Sequence, residues 1–128
     1  SQPGFKTHEQ KTKQTGKFSF GRRPTLDVEA TPMGTYQAIV YRAIGEQWYR
    51  QCDLNRDLIV TGTVRIRILI NKNGKVSSMR QTSRVGASEV QKSFTFLAIK
   101  LARLPAMPPE VRNALVGDSL EMYFDFNF

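Results

Sequence analysis

Few side chains in this sequence could perform chemistry, and their spacing does not bring them together. His8 is the only histidine and lies in a polar stretch, which is typical of a solvated side chain. Cys52 is the only cysteine and has no histidine near it, which predicts a small buried or loop thiol rather than a nucleophile. Asp53 and Asp57 follow this cysteine and are interpreted as an ordinary solvated pair. We therefore expect no catalysis, no metal site and no cofactor.

Composition sets wide limits on what the chain can be. Its 128 residues are enough for one domain, and a hydrophobic content of 40% is enough for a core. A formal net charge of +8 suits an acidic partner but does not choose between nucleic acid, lipid and protein. No apolar run is long enough for a transmembrane helix. The start at Ser1 rather than methionine indicates a processed or truncated chain.

The first 31 residues differ from the rest. Residues 1–31 are rich in Lys, Gln, Thr and Gly and poor in aliphatic side chains, so we predict a flexible polar linker or tail. The exception is the stretch around Phe18 and Phe20, whose alternation would also suit an added edge strand. We expect residues 32–128 to form the folded domain.

A helix and a hairpin open this domain. Thr31 followed by Pro32 is a good helix start, and the apolar stripe that follows predicts a helix to about Gln51. Residues 63–70 alternate with period two and predict a half-buried strand. Asn73 and Gly74 predict the hairpin turn, and the weak pattern of the return strand, about residues 75–83, indicates a bulge.

A second helix and a closing strand complete the pattern. Ser88 and Gln91 form a capping box, which predicts a helix to about Leu104. Its predicted core stripe consists of Val90, Phe94, Leu97 and Leu101. A proline-rich crossing follows, with a short helical turn at residues 110–115. Beyond a break at Gly117, strict alternation predicts a strand to the last residue.

These elements predict an α+β fold with the order α-β-β-α-β. A hairpin makes the first two strands antiparallel, and a right-handed helical crossover places the third strand beside the first. We therefore expect a three-stranded mixed sheet of order 2-1-3, with two helices packed on one face. In this arrangement the last strand is an edge of the sheet, with backbone groups free to pair.

Arg65 and Arg67 allow a second hypothesis about function. Both are predicted to point away from the core, either as a solvated sheet face or as a basic face for an acidic ligand. Proteins that bind RNA on a sheet interleave aromatic side chains with such charges. The outward neighbours here are Thr63 and Leu69, which disfavours nucleic acid. A small basic nucleic-acid-binding domain remains the alternative function.

Four stretches in this order carry a resemblance to a known family. They are "GTYQAIVYRAIGEQWYRQC", "TGTVRIRILINKNGKV", "AIKLARLPAMPPEV" and "LEMYFDFNF". Together they resemble the C-terminal domain of the TolA and TonB energy transducers of Gram-negative envelopes, nearer the TolA form. The sequence departs from that family in having one cysteine, where TolA-like domains often carry a pair, and in lacking the "YP" motif usual before the first helix of TonB-like domains.

The resemblance implies a periplasmic domain that binds proteins and is not an enzyme. It implies an inner-membrane anchor upstream of this chain and partners among periplasmic or outer-membrane proteins, whose segments add as strands to the sheet. On the closing strand, the residues expected to bind partners are Ser119, Glu121, Met122, Tyr123, Phe124, Asp125 and Asn127. Glu121, Asp125 and Asn127 are also expected to discourage indiscriminate pairing at the rim. A homodimer formed by exchange of the final strand is a third hypothesis.

Overall fold

The computed structural model of the chain describes residues 15–20 and 30–128. The fold is α+β, and within the described residues it has a four-stranded mixed sheet and three α-helices. The elements are β1 (Thr15–Ser19), α1 (Pro32–Leu54), a 3₁₀ turn (Arg56–Leu58), β2 (Thr63–Asn71), β3 (Val76–Val85), α2 (Glu89–Leu101), α3 (Pro109–Ala114) and β4 (Ser119–Asn127). None of these helices combines the length and apolarity that crossing a bilayer requires.

The sheet has one more strand than the sequence predicts. Its order is β1-β4-β2-β3, with β2 antiparallel to both β3 and β4. The three predicted strands therefore keep their relative order, but the prediction of a three-stranded sheet is wrong. The additional strand, β1, lies parallel to β4 on its outer side. It comes from the stretch around Phe18 that the sequence allowed as an added strand, while residues 1–14 and 21–29 of the predicted linker lie outside the described residues.

The hairpin between β2 and β3 follows its sequence signals. Gly74 has a φ of 86°, a conformation that favours glycine, and its N–H donates to the Asn71 carbonyl at 2.9 Å. The Asn71 side chain accepts from the backbone N–H groups of Asn73 and Lys75, which closes the turn. The register shifts twice along β3, which confirms the predicted bulge and adds another.

The core lies between one face of the sheet and the helices. Alternate residues of β2 and β4 point into it, and helix α1 supplies its largest side chain, Trp48, which has 0% exposure. Thr31 caps α1 by accepting from the Gly34 N–H at 3.0 Å, and Pro32 is the first helical residue, as predicted. The helix continues to Leu54, beyond its predicted end at Gln51, and the added turn includes Cys52, which is buried.

Helix α2 begins as predicted but turns a different face to the core. Its capping box between Ser88 and Gln91 is present. Of the predicted stripe only Phe94 is buried, whereas Val90, Leu97 and Leu101 are 47%, 43% and 45% exposed. In full, the buried residues of the helix are Gln91, Phe94, Thr95, Ala98 and Ile99.

Two polar side chains are buried on α2 because each has a specific hydrogen-bond partner. The Gln91 amide donates to the Val60 carbonyl at 2.9 Å and accepts from the Val60 N–H at 3.2 Å, which joins α2 to the segment before β2. Thr95 accepts a hydrogen bond of 3.1 Å from the indole N–H of Trp48. Burial without a partner would be costly for these groups, so these bonds determine which face of α2 is inside.

We expect Gln91→Leu to lower the free energy of unfolding by about 1–3 kcal/mol, because it removes both hydrogen bonds that the fully buried Gln91 side chain makes to the backbone of Val60. Val90→Ala, one residue away on the exposed side, should cost less than about 0.5 kcal/mol. Urea denaturation followed by circular dichroism measures both. Equal losses for the two variants would contradict the assigned face of α2.

Candidate interaction site

The outer side of β4 is already paired, by a strand of the same chain. Residues Thr15–Ser19 of β1 align in parallel with Tyr123–Asn127 of β4. The Phe20 N–H extends this ladder by donating to the Asn127 carbonyl at 2.8 Å. The prediction that β4 is a free edge is therefore wrong, and any partner that binds beside this half of β4 must contend with β1.

Phe18 anchors β1 in the core. The ring is 1% exposed and stacks on Tyr41 of α1 and Phe126 of β4, with centroid distances of 4.4 and 5.0 Å. Phe124 and Trp48 lie at 5.6 and 6.0 Å. One phenylalanine therefore joins the N-terminal strand, the longest helix and the C-terminal strand in a single aromatic cluster.

Two glycines make this packing sterically feasible. A Cβ added at Gly45 of α1 would lie 2.9 Å from the Phe18 ring, so the glycine makes room for it. A Cβ added at Gly16 of β1 would lie 2.8 Å from the Phe124 ring and 2.9 Å from the Tyr41 ring. All three distances are shorter than carbon atoms tolerate without a shift of buried rings. The strand and its surroundings are therefore matched at two positions, residues 16 and 18.

Tyrosines of α1 bind the backbone of β1 from its outer side. Because alternate residues of a strand direct their N–H and C=O to the same side, and the Phe20 N–H faces β4, the carbonyls of Lys17 and Ser19 face away from β4. The Tyr41 hydroxyl donates to the Lys17 carbonyl, and the Tyr49 hydroxyl donates to the Ser19 carbonyl at 3.1 Å. We call the space bounded by β4, Tyr41, Gly45 and Tyr49 the β1 slot.

The two charged residues predicted to bind partners, Glu121 and Asp125, form ion pairs with side chains of the neighbouring strand β2. Asp125 is 8% exposed and forms a two-pronged ion pair with Arg65, with N–O distances of 2.6 and 2.9 Å. These hydrogen bonds raise the pKa of the Arg65 guanidinium. Glu121 pairs with Arg67, whose pKa is raised by that hydrogen bond. These two residues, which were predicted to protect the rim, hold β4 to β2 across the face opposite the helices.

The remaining predicted residues are divided between the two faces of β4. Asn127 accepts from the Thr63 hydroxyl at 3.1 Å, and half-buried Tyr123 lies on the same polar face beside Glu121. Met122 and Phe124 point into the core, with exposures of 5% and 0%. Half-buried Ser119 pairs with Asn71 of β2. The structure thus brings Tyr123–Asn127 next to β1, whereas no strand among the described residues lies outside the first part of β4.

The other candidate surfaces of the described chain are the outer side of β3 and two open grooves. At the other side of the sheet, β3 is interrupted by its two bulges, which makes it a poor template for a further strand. An open groove of about 660 Å³ lies between the start of α1 and the proline-rich crossing, and one of about 480 Å³ lies beside the hairpin turn. No group of His, Cys, Asp and Glu side chains among the described residues could hold a metal ion.

Cys52 is a buried residue of α1, which is one of the two alternatives that the sequence allowed. It has 0% exposure, and burial, with a smaller contribution from Asp53, raises the pKa of its thiol to about 12. A thiol with so high a pKa is protonated and unreactive at neutral pH.

The residues of the β1 slot have two recognisable patterns in the sequence, one in α1 and one in β1, and neither pattern alone predicts the slot. Tyr41, Gly45 and Tyr49 follow one another at intervals of four, which puts a gap between two aromatic side chains on one face of a helix. Phe18 and Phe20 are the only aromatic pair in the polar N-terminal stretch that alternates. Each feature is weak alone, and their complementarity becomes visible only when both are placed beside β4.

Comparison of the chain with known families and with curated proteins gives no match in either case.

We expect Phe18→Ala to lower the free energy of unfolding by about 3 kcal/mol or more, because it empties the centre of the aromatic cluster. Lys17→Ala, at the adjacent exposed position, should change it by less than about 0.5 kcal/mol. Chemical denaturation followed by Trp48 fluorescence measures both. If Phe18→Ala costs no more than Lys17→Ala, Phe18 is not packed in the core in solution.

Alkaline pH should destabilise the fold through Tyr41. Burial, with a smaller contribution from Tyr49, raises the pKa of Tyr41 from 10 to about 12. A raised folded-state pKa gives a stabilisation that is complete below pH 10 and is lost as the pH rises through about 12. We expect the Tyr41→Phe variant to lose stability less steeply than the wild type over this range, in urea denaturation followed by circular dichroism. Identical slopes would contradict the burial of this hydroxyl.

Proposed function

We propose that the chain is a non-catalytic protein-interaction domain of an envelope-spanning energy-transduction protein, located in the periplasm and anchored to the inner membrane upstream of this segment. It receives an extended segment of a periplasmic or outer-membrane partner as a strand beside β4. The observation that carries this proposal is that β1, a short strand remote in sequence, already occupies that position. The resemblance to the TolA and TonB domains supplies the compartment and the class of partner.

The geometry favours replacement of β1 over extension of the sheet beyond it. The outward carbonyls of Lys17 and Ser19 are engaged by the tyrosine hydroxyls of α1, so a further strand would find them occupied. A strand that replaces β1 regains the same hydroxyls, the β4 ladder and the aromatic cluster. We therefore move the predicted partner site from a free β4 edge to the β1 slot.

Energetics suit a reversible exchange. Each backbone hydrogen bond is worth about 0.5–1.5 kcal/mol net, and burial of one phenylalanine about 1.5–3 kcal/mol. A strand held in the same chain competes at an effective concentration on the order of mM. A partner segment therefore displaces β1 only where it is locally concentrated or bound by additional contacts, which makes the interaction conditional.

The two alternatives have less structural support. Arg65 and Arg67, the side chains considered for nucleic-acid binding, are both paired with carboxylates of β4. A homodimer by exchange of β4 would have to break two ladders, because β4 lies between β1 and β2. Exchange of β1 would break only one.

The proposal is tested by a disulfide lock between β1 and β4. Ser19 and Asn127 are register partners with half-buried side chains, so Ser19→Cys with Asn127→Cys should hold β1 in place. The protein is produced in its own organism with a photo-reactive phenylalanine at Tyr123, opposite Thr15. We expect cross-links to one extended segment of a periplasmic or outer-membrane protein, lost in the locked protein and retained with Ser19→Cys alone.

A photo-reactive residue at exposed Leu58 is the positional control and should not give the same product. Cross-links that persist in the locked protein, or that go only to cytoplasmic proteins or nucleic acid, contradict the proposed function.

A further inference from the structure

We propose that the β1 slot selects its ligand by sequence: an extended segment parallel to β4 with glycine at one position and an aromatic residue two positions later. In this view β1, with Gly16 and Phe18, is the chain's own copy of the ligand, and a partner protein presents a segment of the same type. This inference rests on the proposed function, because it specifies which segments the slot accepts.

The glycine requirement comes from close contact with buried rings. At Gly16 the Cα faces Phe124, which is 0% exposed, and Tyr41, which is 7% exposed. Even the methyl group of alanine would approach both rings to less than 3.0 Å. Neither ring can retreat into solvent, since each is also packed against Phe18. The slot therefore discriminates against a single added carbon at this position.

The aromatic requirement comes from the stacked site two residues later. The ring of Phe18 lies within 14° of parallel to both Tyr41 and Phe126. Because Gly45 has no side chain, it leaves room for this flat ring. A Cβ added at Gly45 would lie only 2.9 Å from the Phe18 ring. A leucine has comparable apolarity but cannot stack between two planes. This site distinguishes aromatic from aliphatic segments.

Two further contacts bind the backbone of the strand and do not depend on side-chain identity. The Tyr41 and Tyr49 hydroxyls bind carbonyls two residues apart, on the residues that follow the glycine and the aromatic. The residue between glycine and aromatic, Lys17, is exposed and makes no side-chain demand on the slot. The recognised pattern is therefore Gly-x-aromatic, with x free.

The test uses the full chain with its own strand expelled and a synthetic peptide as probe. Gly16→Val in the chain places a branched side chain against Phe124 and Tyr41 and should release β1. The probe is a peptide with the sequence of residues 13–22, KQTGKFSFGR. Binding is followed by the fluorescence of Trp48, the only tryptophan, and by the rise in Tm of the variant. Phe18→Ser provides a second opened chain if Gly16→Val does not fold.

We expect the probe to bind the opened chain and to bind the wild type at least about tenfold more weakly, because β1 competes. Probes carrying Gly16→Ala or Phe18→Leu should each lose about tenfold or more in affinity. A probe carrying Lys17→Gln is the matched control and should stay within about twofold.

Equal affinities for all four probes would overturn the selection rule, and so would a result in which none of the four probes binds either opened chain. Either result leaves the proposed function standing if the cross-link at Tyr123 depends on release of β1. Conversely, selective binding of the probes together with failure of the cross-linking experiment would retain the rule and remove the proposed function.

Discussion

The position of β1 at the edge of the sheet depends on the burial of one phenylalanine. A five-residue strand paired on one side has few hydrogen bonds to hold it, and each contributes little net free energy. Phe18 adds the burial of a whole aromatic ring between Tyr41 and Phe126. Without it, rings that now belong to the core would line an open trough along β4. The β1 slot is thus a core position filled by a strand from outside the contiguous domain.

This dependence relates the fold to the proposed function. A site whose walls are hydrophobic core must always hold something, so an interaction domain with such a site benefits from an occupant of its own. The occupant protects the aromatic walls from water, and it also sets the affinity that a partner has to exceed. Under the proposed function, the stability of the free domain and its affinity for a partner depend on the same contacts, those of Phe18 and of the carbonyls bound by Tyr41 and Tyr49.

The sequence was sufficient for the elements with strong periodicity and clear end signals. Helix α1, the β2–β3 hairpin and β4 were predicted because Pro32, Gly74 and the alternation from Ser119 onward act locally. β1 was only an alternative, since its stability comes from residues of α1 and β4 that are distant in sequence. The predicted free edge was wrong for the same reason.

Polar residues account for the other differences between prediction and structure. The face of α2 was misassigned because Gln91 and Thr95 are buried, and their partners at Val60 and Trp48 cannot be identified from local spacing. Likewise, local spacing places Asp125 at the rim of the sheet. Its pairing with Arg65 depends on the register between β4 and β2, which local spacing does not reveal. Such pairings require the tertiary structure, whereas apolar alternation does not.

The outer sides of β1 and β3, the two outermost strands, affect how readily the protein aggregates at high concentration. An exposed, regular strand invites identical molecules to stack into fibrils, edge upon edge. Here the outward carbonyls of Lys17 and Ser19 are bound by tyrosines, and the far strand β3 changes register twice along its length. Pairing of one sheet with the next is therefore hindered along β1 and along β3, which disfavours open-ended growth of the described sheet at high protein concentration.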